Sequence, residues 1–470
     1  RNNAIFATGS AGFSDIARSI PVTDSTTYRI ASISKTVAAT ALMQLYEQGK
    51  FKLDDDISST IGFTLRNPNY PNDPITYRMV LSHTATVQDG SGYNKFLSAT
   101  SSNPPPLISS VLVSNGAYYS SDMWLNRKPG TYFTYTNMGF GIVGTLVEKI
   151  SGERFDLYCK KHIFDPLGLE ASFNVDDLHN LNNLAVLYRT SGGQWMAQAD
   201  NYKGIFPTPR DYSNYVIGSN GSVFGPQGNL RVSAKDLSKF MIARMNGGVY
   251  KGVSVLNDST ATLMNTPVWT FNGSNGDNYY GLFRSWGLGT HITTNATNGD
   301  IVVSGKIMAG HPGEAYGLIS DAYCEAKNNE FGIVFITNGK DGAYAFGSKS
   351  AFYEVEEAVF STVYNFIQTI PTSIDFKKSE LNPRYELNQN YPNPFNPSTN
   401  IEFSVPENGH AVLKIFSSIG QEIVTLYNGE VEGKQNYQLR FIASTQSSGV
   451  YFSQLEYGGS VQRKKILLIR

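Results

Sequence analysis

Charge is scarce in this chain. Asp, Glu, Lys and Arg make up 16% of it, against roughly 25% in an average globular domain. Tyr, Asn, Ser and Gly take their place, giving a polar but weakly charged surface that favours a location outside the cytoplasm. No sign of charge dominates either. The formal net charge is -1, so no basic field exists to hold nucleic acid, which is not expected as a partner. Cysteine is nearly absent, with 2 in 470 residues. A disulfide scaffold is excluded at that density, and Cys159 and Cys324 are either one bridge or two free thiols. The 6 histidines are scattered without ligand spacing, so no metal and no other cofactor is expected. No apolar run approaches the roughly 18 residues that a membrane-spanning helix needs; the longest, such as Ile333 to Ile336, are of strand length. No signal peptide opens the chain, and Arg1 leads straight into a predicted strand, as in a mature or trimmed protein.

What is present is organised in two styles. The length fits three average domains, or one large α/β domain with a small appendage. Residues 4 to 12 read as a strand entering a turn. Apolar Val37, Ala38, Ala41, Leu42 and Leu45 predict an amphipathic helix from about Ser32 to Gln48, stopped at Gly49. Further helices are predicted over 75–84, 140–150, 153–162, 234–246 and 349–368. The 86–106 stretch reads as a loop and 170–232 as mostly irregular, a length that usually borders a functional site. Strands are predicted over 286–293, 301–308, 315–325 and 331–337. Strands at both ends with helices between imply an α+β fold, its antiparallel sheet assembled from distant segments and flanked by helices. After Ile370 the composition changes. Residues 371–390 read as a linker, and 391–470 as a small β-sandwich of short alternating strands at intervals of about ten residues. The proline-rich YPNPFNPS at 391–398 is neither helix nor central strand.

Three short patterns carry the chemistry. Ser32 and Lys35 stand three apart at a helix start, which puts them on one face and within reach. A serine hydroxyl needs a neighbour to remove its proton. Lys35 can do so if burial brings its pKa down by about 3 units from a reference near 10.4. Tyr135 and Asn137, two apart, share a side if the segment is extended. A phenol there can relay the proton, and the amide can meet a substrate carbonyl. The other reading is an ordinary turn with Asn137 as a helix N-cap. His311 and Gly313 lie two apart on a predicted strand. Gly313 permits close backbone approach, and the N–H groups of Ser32 and Glu314 can face a developing oxyanion. The other reading is a tight turn at a strand edge. Each pattern alone is weak; it is their order and spacing that point to a serine nucleophile.

RIASISKT around Ser32, ITYRMVLSHT at 75–84, PGTYFTYTNMGFGIVG at 129–144 and GHPGEAYGLIS at 310–320 resemble the serine β-lactamase-like hydrolases, the branch holding class C β-lactamases, DD-peptidases, esterases and D-aminopeptidases. The resemblance covers about 4–368 and implies a catalytic domain over 1–370 with a helical subdomain beside its sheet. It implies Ser32 as nucleophile, Lys35 and Tyr135 as the proton-transfer pair, and Asn137 as an amide contact. His311 takes the third-motif position, and the N–H groups of Ser32 and Glu314 form the oxyanion hole. Class C β-lactamases usually carry lysine where His311 stands, so a substrate carboxylate would be held less well. An ester or a peptide amide, D-amino-acid peptides included, is therefore expected ahead of a β-lactam. Family members also begin with a helix and a strand not found here, and these are expected to precede Arg1. A non-catalytic penicillin-binding-type sensor is the alternative of another class, and a structural surface protein a third. The 86–128 and 170–232 segments are expected to line the cleft, with Tyr118, Tyr119, Trp124 and Tyr212 as walls or as core. LNQNYPNPFNPSTNIEFSVP, KIFSSIGQEI and SSGVYFSQLEYGG resemble the type A C-terminal sorting domain of type IX secretion. That implies a secreted or cell-surface protein of a bacterium with two membranes, handled by that machinery.

Overall fold

The computed structural model describes residues 3–327, 329–369, 385–443 and 446–469, and the chain divides into two compact units, Arg1–Ser361 and Thr362–Arg470. The first unit is α+β. Its main sheet is antiparallel, in the order Trp269–Thr270, Ser285–Trp286, His291–Ile292, Met308–Ala315, Leu318–Glu325, Gly332–Thr337. The strand expected over 301–308 does not form. Val302 and Val303 are buried in a bend that turns at Gly305, with φ +76°, and the strand begins only at Met308. It then runs through Gly310, Pro312 and Gly313, residue types that normally argue against a strand. They are accommodated because pairing with His291–Ile292 stops at Gly310. The opposite edge pairs throughout, from Met308↔Glu325 to Ala315↔Leu318. From His311 onward, then, one edge of this strand has no strand partner among the described residues.

The helix expected from Ser32 is Ser34–Glu47, preceded by a tight turn over Ala31–Ile33. It is not amphipathic: every residue from Ser34 to Met43 is buried, so it runs through the core. Ala31 holds the left-handed region at φ +49°, which costs a non-glycine residue about 1–2 kcal/mol. That sharp bend sets Ser32 beside the Met308–Ala315 strand. The helix Asn137–Ser151 packs along Ser34–Glu47 and stops at Gly152, with φ +74°.

Other expectations need correction. Residues 4–12 carry no strand; the first is Phe13–Asp15, paired with Ile20–Pro21. The 86–106 loop contains the helix Ser91–Ala99, whose first N–H donates to Asp122 Oδ2 at 2.8 Å. Its cap comes from 31 residues away, so no local start signal announces it. The irregular 170–232 span contains a hairpin, Leu187–Ser191 with Gln194–Ala199, turning on Gly192 and Gly193 at φ +58° and +76°. The 153–162 helix continues as a wider turn over Lys160–Phe164. Trp124 is a core residue, its indole N–H donating to Leu112 O, while Tyr118, Tyr119 and Tyr212 pack partly buried against the same core. Cys159 and Cys324 are buried free thiols.

The second unit has a three-stranded sheet, Glu386–Leu387, Ser398–Ser404 and Asn436–Ile442, and a four-stranded one ordered Glu422–Val431, Gly409–Ser417, Gly449–Tyr457, Ser460–Leu468. Alternate residues such as Ile401, Phe403, Leu413 and Ile415 form its core with Phe395, from the proline-rich segment. Glu386–Leu387 pairs with Ser398–Ser404, so strand structure starts inside the span read as linker. Residues 371–384 of that span lie outside the described ones. No described helix is long and apolar enough to cross a membrane.

Candidate active site

Ser32 and Lys35 meet as their spacing requires. Lys35 Nζ donates to Ser32 Oγ at 3.0 Å, to Asn137 Oδ1 at 2.8 Å and to the Gln227 carbonyl at 2.9 Å. The side chain is wholly buried, and its three hydrogen-bond partners among the described residues are all uncharged. Burial therefore brings the amine from 10.5 down to about 7, with the Asp89 charge pulling weakly the other way. Desolvation disfavours the ammonium, and three neutral acceptors do not replace a counter-charge. At neutral pH a large share of Lys35 is thus free amine, aimed at a hydroxyl.

Tyr135 lies over this pair, its ring centroid 4.8 Å from Lys35 Nζ. Burial holds its phenol well above the ordinary value, against the pull of a hydrogen bond with Ser32. Tyr135 is therefore a neutral hydroxyl, not a phenolate. Two residues overlooked in the sequence fix it in place. His83, at φ +57° in the turn after Leu81, accepts from the Thr136 N–H at 3.2 Å, and its carbonyl accepts from the Thr134 N–H at 2.9 Å. It clamps the main chain on both sides of Tyr135, with the two rings 4.6 Å apart. Its Nδ1 accepts, and burial plus Lys35 hold the ring far below its usual pKa, so it stays uncharged.

Asp89 is the other. Its carboxylate accepts from the Thr136 hydroxyl at 2.8 Å, the Asn137 N–H at 2.9 Å, Asn137 Nδ2 at 2.8 Å and the Met138 N–H at 2.8 Å. The N-cap position belongs to Thr136, whose side chain does not cap; Asp89 caps from outside. This also decides how Asn137 sits. With Nδ2 given to Asp89, Oδ1 turns to Lys35. The segment is extended only as far as Thr136, and Asn137 opens the helix.

His311, Gly313 and Glu314 lie on the Met308–Ala315 strand. A Cβ on Gly313 would sit 2.6 Å from Ile30 O and 3.2 Å from Ser32 N. Only glycine lets the strand and the Ser32 turn close up. The Gly313 carbonyl faces the paired strand, where Ser320 Oγ reaches it at 3.3 Å. By the alternation of an antiparallel pair, the Glu314 N–H faces the open edge. His311 is buried, 5.9 Å from the Tyr135 ring, and its Nδ1 donates to the Pro312 carbonyl at 2.5 Å. Burial first, then Lys35, hold it well below its usual pKa, so it carries no charge. The seven residues named from the sequence thus come together, joined by His83, Asp89 and the Gln227 carbonyl. That carbonyl is a main-chain group, and no sequence signal marks it.

Residues 1–351 match the Beta-lactamase family, and the chain belongs to it. Members of that family are serine hydrolases. Residues 389–469 match the secretion system C-terminal sorting domain, which marks the chain for type IX export to the cell surface or the medium. Among curated proteins, the putative penicillin-binding protein PbpX of Bacillus subtilis is 26% identical over 252 residues, 53% of this chain and 54% of that protein. The chain spans about half the length of the curated relatives it matches. Two solved structures share the fold. The D-amino acid amidase of Ochrobactrum anthropi, in complex with L-phenylalanine amide, has a TM-score of 0.53 at 20% identity, over 76% of this chain and 89% of that one. EstCE1, a hydrolase with promiscuous acyltransferase activity, has a TM-score of 0.52 at 20% identity, over 76% and 90%.

Proposed function

We propose that the first unit is a serine acyl hydrolase that cleaves an ester or a peptide-type amide through an acyl-enzyme on Ser32. The observation that carries this reading is a fully buried Lys35 amine, with its pKa lowered to about 7, 3.0 Å from the Ser32 hydroxyl. The neutral amine takes the Ser32 proton as Oγ attacks the substrate carbonyl. The N–H groups of Ser32 and Glu314 hold the oxyanion. The Tyr135 hydroxyl, kept protonated by burial, passes the proton on to the leaving group. The second Nδ2 proton of Asn137 is left for a substrate carbonyl. Water then repeats the sequence on the acyl-enzyme. The uncharged His311 offers nothing to a substrate carboxylate, so a D-amino-acid amide or a carboxylic ester ranks ahead of a β-lactam. A panel of a D-amino-acid amide, a short-chain p-nitrophenyl ester and nitrocefin tests the order. Fast nitrocefin hydrolysis would reverse it.

Asp89 gives a second test. Asp89→Asn keeps the side-chain shape and one of the two acceptor oxygens, and removes the charge that raises the Lys35 pKa. If neutral Lys35 is the base, kcat/KM rises with pH through about 7, and in Asp89→Asn that limb moves to lower pH. A limb that stays put assigns the titration to another group.

A further inference from the structure

Two carboxyl groups lie buried together behind the active-site strand. Ser320 reaches the Ile30 carbonyl beside the Ser32 turn. Asp321 follows it and so points from the opposite face of the sheet. It stands between Pro312 and Phe335 on the neighbouring strands and is 0% exposed. The helix Glu354–Thr369 covers this face, with Phe360 edge-on to Tyr323 at 6.4 Å between centroids. Its third residue, Glu356, is 4% exposed and meets Asp321.

Among the described residues no N–H or O–H donor reaches either Asp321 oxygen. The Glu356 carboxyl is its hydrogen-bonding partner. An ionised carboxylate only accepts, so two of them bond only when one carries a proton. Among the described residues no cation acts on either group. Burial, followed for Asp321 by the charge of Glu356, raises both above the ordinary carboxylate range. The titratable groups facing the pair are Glu314 from the Met308–Ala315 strand, Tyr323 from the strand of Asp321, and Tyr353 ahead of the helix. The strand Gly332–Thr337 has none, and Glu357 turns to the N–H groups of Ser348, Lys349 and Ser350. Asp300 and His291 lie beyond Tyr323. Tyr344 lies beyond Tyr353, and it is on Tyr344 that Arg189 and Lys340 act.

Tyr353 joins this pair to the active site. Its N–H donates to Glu356 Oε2 at 2.5 Å, the bond by which the third residue of a helix holds the residue before the first. Its hydroxyl donates to Glu314 Oε2 at 2.8 Å. We propose that Asp321 and Glu356 share a single proton, and that this proton seats Tyr353 as a strut that positions Glu314, and with it the N–H facing the oxyanion. The second half rests on the acyl-enzyme reading. Asp321, Glu356 and Tyr353 are positioning residues, none of which touches substrate. Loss of the proton leaves two like charges under the helix start and loosens the strut.

A pair that keeps a proton which the unfolded chain has lost makes the native protein lose stability as pH rises. Asp321→Asn combined with Glu356→Gln pairs amide to amide and takes up no proton. Unfolding of the first unit is followed in the full chain by tryptophan fluorescence, since all 4 tryptophans, Trp124, Trp195, Trp269 and Trp286, lie in it. From about pH 5 to 7, the native folding constant is expected to fall about tenfold per pH unit relative to the double variant. The slope counts protons: a flat ratio, or a fall of about a hundredfold per unit, overturns the shared proton. If the double variant does not fold, the infrared band of a neutral carboxyl at neutral pH decides. A native band that Asp321→Asn shifts or removes supports the pair, and a band that is absent or unmoved overturns it. Tyr353→Phe keeps the N–H to Glu356 and loses the bond to Glu314. It should lower kcat for a p-nitrophenyl ester about tenfold with little change in KM, a part of what loss of an oxyanion donor costs. An unchanged kcat overturns the positioning role and leaves the shared proton. Absence of Ser32-dependent hydrolysis in the native protein overturns the acyl-enzyme reading and the positioning role together, while the pH slope still decides the proton.

Discussion

Ser32→Ala is expected to abolish ester hydrolysis and labelling by a fluorophosphonate while the protein stays folded. Removing a nucleophile from a concerted set typically costs about 10⁴-fold or more in rate, because the remaining groups have nothing to act on. The structural cost should be small. Lys35 Nζ keeps two of its three acceptors, Asn137 Oδ1 and the Gln227 carbonyl. Ser32 is only partly buried, and losing one hydrogen bond of this kind costs about 1 kcal/mol. The melting temperature should therefore fall by a few degrees at most. Mass mapping of the label in the unmodified protein should find it on Ser32. Turnover that survives the substitution with its pH profile intact would end the acyl-enzyme reading.

Lys35→Met separates catalysis from stability. It removes the proposed base and should lower kcat/KM by about 10²–10⁴, the usual range for such groups. Stability should move in a different and pH-dependent way. Folding lowers the Lys35 pKa from 10.5 to about 7. Between those values the unfolded chain binds a proton that the folded one does not, so this residue makes the native protein gain stability as pH rises from about 7 toward 10. Below the folded value both states are protonated, and the destabilisation stays at its full size, roughly 5 kcal/mol from a shift of this size. Methionine has no such linkage. It also leaves the Asn137 and Gln227 oxygens unpaired, at about 1–3 kcal/mol each. The variant should compare best with the native protein near pH 7 and lose ground by up to about 1.4 kcal/mol per pH unit above it. Denaturant midpoints at pH 7, 8 and 9 measure this. A constant difference across that range means that Lys35 is charged in the folded protein, and the proposed base is then wrong.

The parts of the site legible in the sequence are those whose geometry is local. Three residues of tight turn and helix bring Ser32 and Lys35 together in almost any context. The alternation in the tail identified its strands, because a β-sandwich buries every second side chain whatever its loops do. A Gly192-Gly193 pair between two strand-like runs was a hairpin signal that could have been used. Other features left a weaker trace or none. The strand through His311 was expected, but its two glycines and proline left a tight turn open as the other reading. The strand stands because Leu318–Glu325 pairs with it throughout and an open edge excuses the missing N–H of Pro312. Asp89 looks like any loop aspartate until the fold sets it at a helix start 48 residues later. His83 sits inside a quoted motif, yet its clamp on Thr134 and Thr136 exists only in three dimensions.

The sequence by itself determined which groups could react and in what order along the chain, since side-chain identity and short spacing are local properties. The tertiary structure decided their protonation. Lys35 is near neutral, Tyr135 holds its proton and His311 is uncharged because each is surrounded by segments distant in sequence. The free energy of charging a group depends on how much water those segments leave beside it.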